Sequence, residues 1–231
     1  MLFKAVIFDL DGTLIDSMGV WERIDCEFLK IRGLEVPSDY AESIATCGFT
    51  EAAAYTVQRF NLTQTTEEVI DEWYKMALKE YSENIKLKPF VKEYIQQLYE
   101  LDVKMGVATV SPPKLVHPVL KQNGIADFFD VVVTMEDVKR GKEFPDIYLH
   151  AALKLRTLPE ECLVFEDVPV AMYSAKRAGM KVWGVYDDKM ARNTEREDFL
   201  DGFIKDFSEA PRPGSLTGMI DRGRSSISGD N

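Results

Sequence analysis

The sequence predicts an α/β protein: a doubly wound parallel sheet with an all-helical subdomain inserted into it. Short apolar runs recur at residues 5–8, 103–109, 131–134, 162–165 and 182–185. Their lengths and branched residues suit strands covered on both faces. From the second run onward, helix-period stretches fill the intervals, which is the alternation of a doubly wound sheet. Between the first and second runs, from Asp16 to Lys88, the pattern is helical with no convincing strand. The expected division is therefore 1–15 and 86–209 for the core, 16–85 for the helical insert and 210–231 for a polar tail.

The first run, Ala5-Val6-Ile7-Phe8, stops at Asp9. In the insert, 17–31 is amphipathic, 50–60 carries Ala53, Ala54, Val57 and Phe60 on one face, and 66–81 opens with Thr-Glu-Glu, a cap with acids in its first turn. Chain connections are expected near 14–17 and 85–88. Returning to the core, the helix at 89–101 begins with a proline suited to a first turn. The helix at 113–123 ends at Gly124, a natural C-terminal stop. Helices at 145–155 and 169–178 follow, the latter closed by Gly179. The segment 210–231, rich in Gly, Ser, Pro and Arg, reads as a surface terminus.

Composition narrows the function. Hydrophobic residues are 45% and charged residues 29%, ordinary for a globular chain. With 28 Lys and Arg against 39 Asp and Glu, the formal charge is −11. That field repels phosphate backbones and anionic membranes, so neither nucleic acid nor membrane is an expected partner. It also repels a small anionic substrate unless a pocket reverses the sign locally. Cys26, Cys47 and Cys162 are widely spaced, with no zinc spacing, and read as free thiols in a reducing compartment. The N-terminal apolar run is too short for a signal segment, and no run approaches the roughly 18 residues of a membrane span. A cytoplasmic monomer is expected.

The chemistry gathers at strand ends. The first strand runs out as Phe8-Asp9-Leu10-Asp11-Gly12-Thr13. Ligands of open α/β sheets bind beyond the carboxyl ends of the strands, so Asp9 and Asp11 stand where a site is expected. Two carboxylates this close repel unless a cation neutralises them, and Mg²⁺ is the economical choice. The second strand ends Ala108-Thr109-Val110-Ser111, offering a hydroxyl and backbone N–H groups to an anion. Lys142, just before a helix, can supply the local positive charge. The fourth strand ends Phe165-Glu166-Asp167, a second acidic pair. Each alone has a bland reading as loop, cap or solvated residue. In this order at one predicted sheet edge, they read together as one functional site.

These motifs resemble those of the haloacid dehalogenase-like hydrolases. Asp9-Leu10-Asp11-Gly12-Thr13 matches the family's DxDGT motif, Thr109 its Ser/Thr motif, Lys142 its lysine motif and Glu166-Asp167 its acidic motif, over about residues 3–186. The resemblance implies a Rossmann-like core with a helical C1 cap, within the β-phosphoglucomutase-like phosphatase branch. It implies that Asp9 is the nucleophile, forming an aspartyl-phosphate, and that Asp11 is the general acid and then base. Thr109, Val110 and Lys142 would bind phosphate. Mg²⁺ would be held by Asp9, the Asp11 carbonyl and Asp167, with Glu166 direct or behind them. The implied partner is a small phosphorylated metabolite such as a sugar phosphate.

Several positions depart from the family pattern. Val110 stands where Asn or Gly is common, Val168 where Ser is usual, Ala171 where Gly is usual, and Glu143 follows the lysine where it could temper that charge. A β-phosphoglucomutase, the alternative activity, anchors a second phosphate with a cap arginine and uses a histidine soon after DxDGT. Here the region of Cys47 and Gly48 has no arginine, and Trp21 stands about where the histidine would be. Arg59 and Lys75 read as solvated cap cations. Asp16 and Trp21 are candidates to face substrate, Asp16 equally as a helix cap. Met18 and Met76 read as core, and His117 and His150 as structural.

Overall fold

The computed structural model describes residues 3–44, 49–187 and 198–212. Its centre is a parallel sheet of β1 (Ala5–Phe8), β2 (Lys104–Ala108), β3 (Val131–Val133), β4 (Cys162–Glu166), β5 (Lys181–Val185) and β6 (Gly202–Ile204) in the order β3-β2-β1-β4-β5-β6. Strand β1 lies in the middle, pairing Phe8 with Val107 on one side and with Phe165 on the other. The connection from β1 leads to β2 on one side while β4 closes the other. The strand order therefore reverses at the β1–β4 seam, where such sheets open a crevice.

Every residue of β1 is buried, because its two faces pack into different cores. Val6 and Phe8 face α5 (Val91–Glu100) and α6 (Pro113–Gln122); Ala5 and Ile7 face α7 (Asp146–Leu155) and α8 (Pro169–Arg177). An apolar run without alternation is the signature of that double burial. On the first face Phe8 stacks on Phe165, with centroids 5.4 Å apart and planes 9° apart, and Tyr94 and Phe207 close around them. This aromatic block lies one residue below Asp9 and Glu166 and stiffens the strand ends that carry them.

The residues between β1 and β2 form α1 (Val20–Ile31), α2 (Tyr40–Ile44), α3 (Phe49–Arg59) and α4 (Thr66–Lys79), the last running into a π-helical turn at Glu80–Asn84. Their apolar faces continue the first core rather than closing a separate one. The two chain connections lie side by side. The Asp16 N–H donates to the Lys86 carbonyl and the Lys88 N–H to the Leu14 carbonyl, each at 2.9 Å, with Ile15 bridged to Leu87.

Local chemistry moves several boundaries. Helix α1 starts at Val20 because Gly19, at φ 81°, caps it, so Asp16 is not the cap. Helix α5 starts after Pro89, behind Phe90 at φ 63°. The N-cap of α4 is Thr65, whose side chain accepts from the Glu68 N–H in a capping box, one residue before the expected start. In α3 the buried face is Ala52, Ala53 and Thr56, while Ala54 is exposed; the Thr56 hydroxyl meets that of Tyr40 at 2.7 Å and turns the helix. Strand β6 is additional to the expected five. It is a short edge strand in which the Trp183 ring of β5 covers the place a Cβ of Gly202 would take. Ala210 packs on the core and the Pro211 carbonyl accepts from the Tyr94 hydroxyl; the expected tail from 213 onward lies outside the described residues. Cys26 is an exposed free thiol and Cys162 a buried one, whereas Cys47 lies outside the described residues. Among the described residues no helix is long and apolar enough to cross a membrane.

One acid in the insert, Asp25, is half-buried, with no cation pairing with it among the described residues. Burial pushes the Asp25 carboxyl up to about 7, and the neighbouring Glu22 charge adds to it. A carboxyl with a raised folded-state pKa binds its proton more tightly when folded, so its ionisation removes stability as pH rises from about 4 to 7. The Asp25→Asn variant is expected to match the parent at pH 4 and to exceed it by about 1–2 kcal/mol at pH 8, after allowance for solvent screening. Urea unfolding at the two pH values measures this; a gap that does not widen with pH rejects it.

Candidate active site

The site stands over the β1–β4 seam. Asp9 leaves the end of β1 with its N–H bound to the Phe165 carbonyl at 3.0 Å, which fixes where its side chain emerges. Glu166 ends β4 and Asp167 follows it. Carboxylate oxygens of these three buried acids lie within 4.8 Å of one another. Lys142 reaches in from the loop before α7 and pairs with Asp9 and, at 2.5 Å, with Glu166. The Lys142 side chain is only 10% exposed, so the pairing is largely desolvated.

Glu166 has both oxygens occupied. Oε1 accepts from Lys142 and from the Tyr148 hydroxyl at 2.9 Å, and Oε2 accepts from the N–H groups of Asp167 and Val168 at 2.9 and 3.0 Å. With four donors, it is built to hold Lys142 and the β4–α8 turn in place. The departure at Val168 costs nothing here, since the contact it supplies is its backbone N–H. Glu143 is exposed, and the charges that raise the Lys142 pKa are those of Asp9 and Glu166. Asp167 accepts a hydrogen bond from the Thr13 hydroxyl at 3.1 Å. Gly12, at φ 81°, turns the chain directly beneath Asp167; any Cβ there would collide with that carboxylate. Both the turn and the close approach demand glycine.

Three ionised carboxylates against one ammonium leave two negative charges uncompensated in a buried space. Burial therefore pushes the Asp9 and Asp167 carboxyls upward, with the mutual charges of the acids adding to it and Lys142 opposing. A divalent cation removes that imbalance, and an all-oxygen donor set suits a hard one. The residues fit such an ion, with Asp9 and Asp167 the carboxylates left to face it.

Asp11 stands apart from this cluster. Its oxygens accept from the Tyr81 hydroxyl at 2.5 Å and the Ser111 hydroxyl at 2.6 Å. Tyr81 comes from the π-helical turn of the insert, and burial together with the Asp11 charge pushes its phenol well above its ordinary value, keeping it a donor. Thr109 is buried beside the cluster's edge of the sheet, its hydroxyl accepting from the Ser111 N–H at 3.0 Å, while Val110 is exposed. A cavity of about 280 Å³ opens next to Asp11. Its wall includes Trp21, Met18, Glu22, Tyr81, Val110 and Ser111. Trp21 thus faces the cavity, and so does Met18, which was expected in the core. Asp16 is exposed at the chain connection and does not line it. His117 is exposed on α6, and His150 lines a separate surface groove. Arg59 is paired with Asp39 and Lys75 is exposed. Gly48, with Cys47, lies outside the described residues.

Sequence reasoning missed Tyr81, Tyr148 and Lys88. Lys88 donates to the Tyr186 carbonyl and pairs with the buried Asp187 at 3.0 Å, adding positive charge that acts on Asp167. Tyr148 sits three residues after Pro145 in a helix, a position with no local mark of function. Ser111 stands at the strand end that the sequence marks, but its contact with Asp11 was not read there.

The chain matches the family model of haloacid dehalogenase-like hydrolases over residues 6–185. It is 30% identical to hexitol phosphatase B of Escherichia coli, over 77% of this chain and 81% of that one. It is 29% identical to validoxylamine A 7'-phosphate phosphatase of Streptomyces hygroscopicus, over 92% and 98%. The fold is similar to that of CbbY from Rhodobacter sphaeroides, crystallised with phosphate, at a TM-score of 0.73 and 22% identity over 90% and 96% of the two chains.

If the acid cluster is a cation site, magnesium will raise the thermal midpoint of the parent protein, by the equivalent of about 2–3 kcal/mol near 100-fold saturation. Asp167→Asn is expected to fold, to be no less stable without metal, and to lose that rise. An equal magnesium-dependent shift in the variant, followed by scanning calorimetry, would place the ion elsewhere.

Proposed function

The chain belongs to the haloacid dehalogenase-like hydrolases, and from that premise we propose that it is a Mg²⁺-dependent phosphomonoesterase of the cytoplasm, acting on a small phosphorylated metabolite through an aspartyl-phosphate. The observation that carries the reading is Lys142 bridging Asp9 and Glu166 beside Asp167, with Asp11 held separately at a cavity mouth. Phosphatase relatives support the same reaction class. Residues 16–85 act as the cap on a core made of 1–15 and 86–209, and the protein works as a monomer.

Asp9 attacks the phosphorus of the ester. As the Asp9 oxygen–phosphorus bond forms, the bond to the ester oxygen breaks and Asp11 gives its proton to that departing oxygen. Asp11, now ionised, takes a proton from the water that attacks the phosphoryl group. The bond to Asp9 then breaks, inorganic phosphate leaves and the carboxylate is restored. Lys142, the Thr109 hydroxyl and the Val110 N–H hold the phosphoryl oxygens. Asp9, Asp167 and the Asp11 carbonyl, with Glu166 behind them, would hold a magnesium ion, which would supply further neutralisation of phosphoryl charge. Tyr81 and Ser111 aim the Asp11 carboxyl at the leaving oxygen.

A phosphate-release screen over sugar phosphates, polyol phosphates and nucleotides, with and without magnesium, tests the reading. Asp9→Asn should lower turnover by at least roughly 10³-fold while keeping the fold; an active variant refutes covalent catalysis. Tyr81→Phe removes one charge-assisted hydrogen bond, worth about 1.5–3 kcal/mol. It should lower kcat by about tenfold with KM little changed. A change confined to KM would show that Tyr81 binds substrate and does not position the acid.

A further inference from the structure

The cavity beside Asp11 is where the alcohol portion of an ester would lie, and both parts of the chain line it. The insert contributes Met18 and Trp21, and the core contributes Val110 from the loop after β2. Gly19, at φ 81°, turns the chain into α1, so that Val20 is buried in the core while Met18 and Trp21 reach the cavity. Trp21 stays 38% exposed and Val110 57%. Apolar side chains open to a concave space are surface that a ligand can cover. The Trp21 indole is also firmly seated. It meets the Phe49 ring at 5.3 Å and 72°, and Phe49 packs in turn on Trp73 and Tyr74 at 5.5 and 5.0 Å. Trp73 is itself buried against Phe28. The rings of α1, α3 and α4 behind the indole therefore fix its orientation before any ligand arrives.

We propose that Trp21 is the specificity-determining residue of this cavity, a preset platform for a flat carbon face, and that the alcohol it selects is a polyhydroxy ring in preference to an open-chain polyol. The proposal rests on the phosphomonoesterase reading and deepens it. An open chain must freeze several single bonds to lay its carbons on a flat surface, whereas a ring presents that face already ordered. A fixed indole favours the ring because neither partner loses much freedom when they meet. Hydroxyls on the edge of the ring reach the polar end of the cavity. There Tyr81 and Ser111, each donating to Asp11, still offer oxygen lone pairs. The apolar wall thus reads the carbon skeleton of the alcohol, and the hydroxyls beside Asp11 read its polar edge.

Glucose 6-phosphate and sorbitol 6-phosphate carry the same charge and the same number of carbons, the first closed into a ring and the second open. Their dissociation constants for the full chain carrying Asp9→Asn, measured by calorimetry with magnesium present, are expected to favour the ring by roughly threefold or more. Trp21→Leu in the same background should bring the two toward parity, chiefly by weakening the ring ester. Trp21→Phe, a smaller platform on the same seat, should keep the ring ester first. A general loosening of the insert would weaken both esters alike and leave their ratio unchanged. A smaller or reversed ratio in the Trp21 protein, measurable binding of neither ester, a ratio unmoved by Trp21→Leu, or an open-chain preference in Trp21→Phe overturns the proposal. Turnover by the protein with Asp9 intact is read separately. A ring preference in binding with no hydrolysis of any ester rejects the phosphatase reading and leaves the assignment of Trp21 standing.

Discussion

Three carboxylates crowded above one seam of the sheet are the constraint around which the rest is organised. Asp9, Glu166 and Asp167 are buried together because β1 and β4 are neighbours in register, with Asp9 just past the end of β1 and Glu166 ending β4. Left alone, that arrangement is strongly unfavourable, since desolvation and like charge act in the same direction. The surrounding structure is a set of responses to it. Lys142 is drawn in to bridge two of the acids, Tyr148 and two backbone N–H groups saturate Glu166, Thr13 holds Asp167, and Gly12 leaves room for it. The Phe8–Phe165 stack below keeps the two strand ends from drifting apart. What remains unneutralised is a demand for positive charge, and a phosphoryl site needs that demand met at this spot.

The helical insert contributes to the same site from the other side. Tyr81, delivered by a π-helical turn, donates to Asp11, while Ser111 of the β2–α6 loop donates to its other oxygen. Asp11 is thereby suspended between the two parts of the chain. A π-turn is costly relative to a regular helix and is commonly retained where it aims a side chain. Here it leaves Tyr81 fully inside while the helix before it remains amphipathic.

The parallel sheet and most of the site were legible because their signals are local. Buried strands show as uninterrupted apolar runs, and each of Asp9, Thr109 and Glu166 stands at the end of one. Lys142 was legible by its place in a motif. What escaped reading depended on contacts between distant residues. Tyr81 lies 70 residues from Asp11, and Lys88 lies 99 from Asp187; neither neighbourhood marks its partner. Strand β6 escaped because three residues at a sheet edge, one of them glycine under the Trp183 ring, have no periodicity to display. Ala54 was assigned to the wrong face of its helix because Thr56, polar by composition, is buried through its bond to Tyr40. Met18 was read as core since an apolar residue near a helix start carries no sign of whether protein or ligand will cover it.

The paired segments at 14–16 and 86–88 have a mechanical consequence. A single connecting strand would let the helices swivel about it in any direction. Two antiparallel connections laced by a pair of backbone bonds act as a flat ribbon, compliant to bending across its width and stiff against torsion. Those bonds tie the helices to the sheet through both connections at once. The same tether helps to keep the Tyr81 phenol over its carboxylate oxygen.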